Sequence, residues 1–267
     1  MMFKTFLLII WCLQFMCMTH AQNKGIALQL TAYSSTHADV FSIKSNASAG
    51  TAMNKSSVGV YSDRPFLMKA FSSFNLCVVL PTAAGPFGLI IEQNGSKAFH
   101  QTALGIGYAR KLANSIDLGL QFQYGMEKAG YYGHGASVKA AVGARFHITD
   151  HFCLGIQVQQ PKNLSSPAKE KKPAGFSLGG GWEPSQKVFI AGELFKEEDQ
   201  PLHFRTGLTY YPDKCFVFRA GYASGNGLNW SAGTWIRSMR LEVTGSYHTQ
   251  LGFTPGLALV YQKRNTE

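Results

Sequence analysis

The chain has 267 residues and a formal net charge of +10 at pH 7, yet only 15% of its residues are charged. It carries 28 glycines beside 19 phenylalanines, 11 tyrosines and 4 tryptophans. Few charges among many glycines and aromatics argue against a helix-rich domain and for an all-β chain, long enough for one large domain or two small ones.

Residues 1–21 read MMFKTFLLIIWCLQFMCMTHA. Lys4 supplies a positive start, Thr5 to Met18 form an apolar run, and Thr19-His20-Ala21 ends in a small residue. A run of about 14 residues is too short to span a bilayer, so the segment reads as a signal peptide cleaved near Ala21. Cys17 follows the bulky Phe15-Met16 pair, which fits a lipoprotein cleavage site poorly. Cys77, Cys153 and Cys215 then remain, each in a strand-like stretch; an odd, widely spaced trio is neither a disulfide framework nor a metal motif.

Residues 22–56 lack sustained alternation and are rich in Ser, Thr, Ala and Asn. They read as a non-strand segment, a plug or a periplasmic lead-in, with one short helix near 37–44. From 57 to 263 the apolar period is 2 almost throughout. It begins at Val58-Gly59-Val60-Tyr61 and continues through Phe74, Leu76, Val78 and Leu80, then Phe87, Leu89 and Ile91, then Leu104, Ile106 and Tyr108. The cleanest stretch is SIDLGLQFQYGM, residues 115–126, where every even position is apolar and Asp117, Gln121 and Gln123 stand between. Similar strands follow at 138–146, 152–158, 176–182, 188–194 (less clean), 202–210, 216–222, 228–236, 241–247 and 257–261. The census is about fourteen strands, many of them about 9–12 residues long. Short turns near 81–85, 112–115, 149–151, 183–186, 212–214 and 237–239 alternate with longer links, as in an up-and-down barrel with one tight rim.

A soluble sandwich also alternates. Strands near the 9–11 residues of a tilted membrane crossing, wet faces rich in Gln, Gly and Arg, and aromatics toward the strand ends together favour a membrane barrel. The aromatics are Tyr61, Tyr108, Tyr124, Trp182, Tyr210, Tyr222, Tyr247 and Tyr261. No apolar stretch after the signal approaches the length of a spanning helix, and a closed barrel satisfies the backbone polar groups that hydrocarbon leaves without partners. The expected fold is therefore an all-β, up-and-down antiparallel transmembrane barrel of about 14 strands with a short N-terminal plug-like segment. The wet face predicts a lumen lined by Asp117, Gln121, Gln123, Lys139, Arg145, Arg205, Arg219, Arg237, Arg240 and Glu242. Glu193 joins the charges on this face, and these charges either pair and rigidify the barrel or favour anionic solutes.

Residues 245–262, GSYHTQLGFTPGLALVYQ, resemble the end of the PorV/PorQ-like outer-membrane proteins of Bacteroidetes-type bacteria, within the FadL-type barrels. Residues 56–81, 85–95 and 102–112 are similar as well. FadL-like chains often carry an Asn-Pro-Ala turn near their start; Asn46-Ala47-Ser48 stands there without the Pro. The resemblance implies a 14-strand outer-membrane barrel with N-terminal residues in or under the lumen. It further implies an accessory or docking role beside type IX secretion proteins, or alternatively a channel for small or hydrophobic solutes. Thr254, Gly256, Leu259 and Tyr261 resemble the signal read by the barrel-insertion machinery.

Catalysis finds little support. Ser246 and His248 sit two apart on one strand, as in some outer-membrane lipid-modifying enzymes, but their parity puts both in the lumen, away from lipid. His134, His147 and His151 lack metal-ligand spacing, and no cofactor is expected. GGGW at 179–182 lacks the lysine and helix of a phosphate loop; glycine there allows close packing. KEKK at 169–172 is a basic loop, solvated or facing lipopolysaccharide. The expected partners are outer-membrane lipid and lipopolysaccharide; the basic charge of an exported chain gives no argument for nucleic acid.

Overall fold

A computed structural model of the protein describes residues 26–96, 99–129, 133–165, 173–225 and 227–263. The signal peptide and the KEKK loop lie outside the described residues. Fourteen strands follow one another: β1 (Ser57–Asp63), β2 (Ser73–Leu80), β3 (Phe87–Gly95), β4 (Phe99–Ala113), β5 (Ile116–Ala129), β6 (Gly133–Thr149) and β7 (Phe152–Ser165), then β8 (Gly175–Ser185), β9 (Val188–Glu197), β10 (His203–Tyr210), β11 (Phe216–Ala223), β12 (Gly227–Ile236), β13 (Met239–His248) and β14 (Gly252–Gln262). Each pairs antiparallel with the next, and β1 pairs with β14, so the sheet closes.

Parity sets the two faces of the wall. Along β5, Leu118, Leu120, Phe122, Tyr124 and Met126 are 37–55% exposed, whereas Asp117, Gln121 and Gln123 are 1–7% exposed. The outer faces of the other strands repeat this, with Ile106, Val142, Trp182, Phe204, Phe218, Trp230, Val243 and Leu257 all exposed. An unbroken outward apolar belt around a wall with no open edge is the arrangement that hydrocarbon requires.

Lengths depart from the expected ones. β4 to β7 run 14–17 residues, whereas β1 has 7 and β2 has 8. Residues 127–129, 133–135 and 160–165, where the apolar alternation has stopped, are still strand, because pairing continues there, as at Lys128↔His134 and Val138↔Lys162. Strand there has left the apolar zone, so both faces are polar and the pattern vanishes. Four of the six connections at the near rim, where β1 begins, are two residues long, 114–115, 150–151, 186–187 and 237–238, and the other two are 81–86 and 211–215.

Two residues depart from the girdle and strand expectations. Tyr61 is 6% exposed, faces the interior, donates to Asp63 Oδ2 at 2.9 Å and packs edge-on against Phe41. Cys215 is exposed in the turn before β11, whereas Cys77 and Cys153 are buried in strands.

Residues 26–53 fold into the near half of the barrel as α1 (Ile26–Gln29) and three 3-10 turns, Leu30–Tyr33, Val40–Lys44 and Ala47–Ala52. The single helix expected near 37–44 is one of these turns. Asp39 caps it: its carboxylate accepts from Phe41 N at 2.8 Å while Asp39 N donates to Ser42 Oγ at 2.9 Å. Asn46 supplies the next turn with its own side chain, accepting from Ser48 N at 3.0 Å, so no proline is needed. Leu28, Val40, Phe41, Ile43 and Met53 of this plug form an apolar core with Tyr61, Cys77, Val79, Ile90, Ala258 and Val260 of the wall. The near half of the interior is therefore packed like a soluble protein.

Candidate functional site

The plug fits because the wall is missing side chains where it approaches. A Cβ on Gly119 would lie 2.2 Å from Ser48 N, one on Gly143 2.2 Å from Asn46 Oδ1, and one on Gly179 2.2 Å from Tyr33 Cζ. Gly155 and Gly181 are pressed by the same Tyr33. The GGGW stretch thus receives Tyr33 between Gly155, Gly179 and Gly181. Phe189, an apolar residue at an inward position of β9, completes this contact with Leu30 and Tyr33.

Charged and polar side chains then fasten the plug. Arg145 reaches from β6 to the carbonyls of Ala32 (3.2 Å) and Ser34 (2.9 Å), to Thr51 Oγ1 (2.7 Å) and to Asp117 (2.7 Å). His147 approaches the same Asp117 oxygen at 2.8 Å. Glu183 accepts from Ser34 Oγ, Ser35 N and Thr36 Oγ1 at 2.6–2.7 Å. On the opposite wall Asp39 pairs with Arg240 and with Arg219, which both also pair with Glu242. Ser231 Oγ adds a bond to Glu242 at 2.5 Å. Asp39, Asp117, Arg145, Arg219, Arg240 and Glu242 each meet an opposite charge, the condition under which buried charges are tolerated away from water, whereas Glu183 is satisfied by the neutral donors of the plug.

The far half of the lumen is different. It holds a cavity of ≈ 420 Å³ whose floor is the plug at Gln29, Lys44 and Ser45 and whose mouth reaches Glu127, Pro173 and Glu197 at the far rim. Lys44 is paired with Glu92 at 2.6 Å and donates to Asn75 at 2.6 Å. Arg205 lies over the Phe195 ring, 5.2 Å from its centroid, with Glu193 at 3.7 Å.

The residues expected on the lumen face thus fall into groups. Gln123, Lys139 and Arg205 line the cup. Asp117, Arg145, Arg219, Arg240 and Glu242 lie beneath or beside the plug and hold it. Gln121 borders a small apolar pocket with Ile43, Ala47 and Gly50. Arg237 does not line the lumen: β12 ends at Ile236, and Arg237 is exposed in the near-rim turn at φ 56°. A parity count does not survive a turn. Ser246 and His248 face inward, and His248 Nδ1 accepts from the amides of Gln250 and Leu251 at 3.2 Å, so it caps a loop. Sequence reasoning missed Lys44, Asn75, Glu183, Gln157 and Gln159 as interior groups. Glu183, Gln157 and Gln159 shared the inward parity and were findable by it; Lys44 lies in a segment with no period to read.

No protein-family model matches the chain, and no curated protein matches it. Solved structures do. The CymD monoaromatic hydrocarbon channel superposes with a TM-score of 0.65 over 91% of this chain and 98% of its own, at 11% identity. The Pseudomonas putida toluene transporter TodX gives 0.62 over 83% and 93%, at 11% identity. The fold is that of the FadL/TodX-type barrels. A Pseudomonas aeruginosa FadL homologue gives 0.54 over 91% and 97%, at 10% identity. At such identities the likeness concerns architecture, the fourteen-strand wall and its coverage from end to end, and the FadL/TodX-type fold carries its own set of interior side chains here.

Proposed function

We propose that the protein is an outer-membrane barrel that admits small solutes through its far-rim cup, with residues 26–53 as the gate. One observation carries this: a cup of ≈ 420 Å³ has for its floor a separate segment, fastened largely by side chains, in a fold shared with hydrocarbon channels. The outward apolar belt supports the membrane, and the exported start of the sequence supports the outer one. Alkaline extraction and heat-dependent gel mobility test the location; recovery as a detergent-free soluble protein overturns it. Swelling of liposomes that hold the purified full chain tests the channel. Slow entry of small solutes by the native chain and faster entry by Asp39→Asn, which loosens the gate, are expected. No entry through either overturns the channel.

A second reading, a docking component beside type IX secretion proteins as in PorV/PorQ-like barrels, is favoured by the sealed near half with its buried ion pairs. Absence of permeation together with recovery of a defined complex from the native membrane favours it. Insertion through the barrel-assembly machinery fits β14, which turns Leu257, Leu259 and Tyr261 outward and Thr254 inward.

A further inference from the structure

The cup is built from amides. Gln101 on β4, Gln123 on β5, Gln157 and Gln159 on β7, Asn94 on β3 and Gln29 on the plug all line it. Gln101, Gln159 and Asn94 share the inward parity of their strands, and no side-chain hydrogen bond joins any of the three to another described residue. Gln123 spends one donor on Glu92 at 3.3 Å, and Gln157 accepts from Ala47 N at 3.2 Å. Around them stand the hydroxyls of Ser45, Ser137 and Ser177. The charges offer no single sign: Lys44 is matched by Glu92 and Arg205 by Glu193, and Lys139 shares the lining with Glu127 and Glu197. Small residues, Ala103, Gly125 and Gly175, keep the walls apart, and Phe195 supplies an aromatic face.

This lining decides between classes of occupant. An amide presents both a donor and an acceptor. A hydrocarbon entering the cup displaces water from the amides and returns no hydrogen bond, an uncompensated loss at each one. An anion or a cation meets like as well as unlike charges, because three basic and four acidic side chains share the lining. A neutral molecule with many hydroxyls replaces the water bond for bond, because each hydroxyl also both donates and accepts. The cavity lies within the size range of sites for small organic molecules.

We propose that the cup binds neutral, hydroxyl-rich solutes of about disaccharide size, with Gln101, Gln123 and Gln159 as its recognising groups. This narrows the channel reading and departs from the cargo named for CymD and TodX: a shared wall does not transmit the chemistry of its interior.

The test uses the full chain in detergent, titrated calorimetrically with sucrose, with galacturonate as an anionic probe and with toluene as an apolar one. Saturable sucrose binding and weak or absent binding of the other two are expected. Gln101→Leu with Gln159→Leu is expected to weaken sucrose binding at least tenfold, and Gln101→Asn with Gln159→Asn to retain most of it. Heat-dependent gel mobility confirms that both variants are folded. Toluene or galacturonate binding more tightly than sucrose overturns the proposal. So does sucrose binding that the leucine variant leaves unchanged, or no sucrose binding by the native chain. Liposome swelling run in parallel separates the two readings. Permeation without preference for sucrose removes the solute class and keeps the channel; sucrose binding without permeation keeps the class and removes the channel.

Discussion

Arg145 donates to Asp117 at 2.7 Å with both side chains shut away from water, and the same guanidinium holds the carbonyls of Ala32 and Ser34. One residue of the wall thus ties a lumenal carboxylate to the segment that blocks the lumen. Arg145→Met removes the charge and leaves Asp117 buried with only Thr51 and His147 as partners. A loss of about 3–5 kcal/mol of stability is expected, read as a lower midpoint in the heat-induced gel shift. The double change Arg145→Met with Asp117→Leu is expected to lose less, since no carboxylate is then stranded. A midpoint equal to the native one in the single variant overturns the pairing.

At Gly119 plug and wall press together, and the obstacle is backbone. Gly119→Ala places a methyl group 2.2 Å from Ser48 N, which has no side chain to swing aside. Displacement of the 47–52 turn at a cost of about 1–3 kcal/mol is expected, with faster cleavage of the plug by added protease. Gly107→Ala, where the nearest atom is 3.6 Å away, is the control and is expected to behave as the native chain.

Asp39 is the one plug carboxylate that meets both Arg219 and Arg240. Asp39→Asn leaves two arginines to Glu242 alone, so the near half of the lumen gains a net positive charge. In planar bilayers across a salt gradient, a reversal potential shifted toward anion selectivity is expected relative to the native chain. An unshifted potential with raised conductance shows that ions bypass these arginines and overturns their place on the path.

His37 gives the plug a pH response. Its ring stacks on Tyr211 at 4.9 Å, and burial holds its imidazole below the usual histidine range, with Glu183 opposing and Arg219 adding to the shift. A lowered histidine value means that the seated plug prefers the neutral ring. That contribution is whole above the ordinary value of about 6.5 and is lost as pH falls through the lowered one. Protease access to the plug is expected to rise on acidification in the native chain and to rise less in His37→Phe. Identical profiles for the two sink the assignment.

Leu120 tests the outer face. Leu120→Arg puts a guanidinium in the middle of the apolar belt, and a cost of about 2–4 kcal/mol for folding into bilayers is expected. Its neighbour Gln121 points to the opposite side, so the penalty belongs to the face and not to the strand.

The wall was legible because a strand between lipid and lumen repeats its instruction every two residues. Leu118, Leu120 and Phe122 announce one side, and Asp117, Gln121 and Gln123 the other. Arg237 was misplaced because the same count ran past the end of β12. Tyr61 was misplaced because its neighbours Val58, Gly59 and Val60 do not alternate in polarity, and the parity of β1 has to come from Gly59, which receives Val40 and Phe41 of the plug. The plug itself was visible only as a lack of period. What seats it lies far along the chain: Ser34 meets Glu183 across 149 positions, and Asp39 meets Arg240 across 201. No local window contains both partners.

Those separations also constrain the order of events as the barrel forms. The plug precedes β1, yet besides β1 and β2 it touches β4 to β12 and pairs with Arg240 of β13, and the ring closes only when β14 reaches β1. The first described residues therefore find all their seats only once strands far along the chain have come together. So large a loop-closure cost marks a slow folder. Before closure, Asp39, Arg219, Arg240 and Glu242 remain in water, where a charge costs least to keep alone, and the same pairing that seals the finished molecule is postponed until there is an inside to seal.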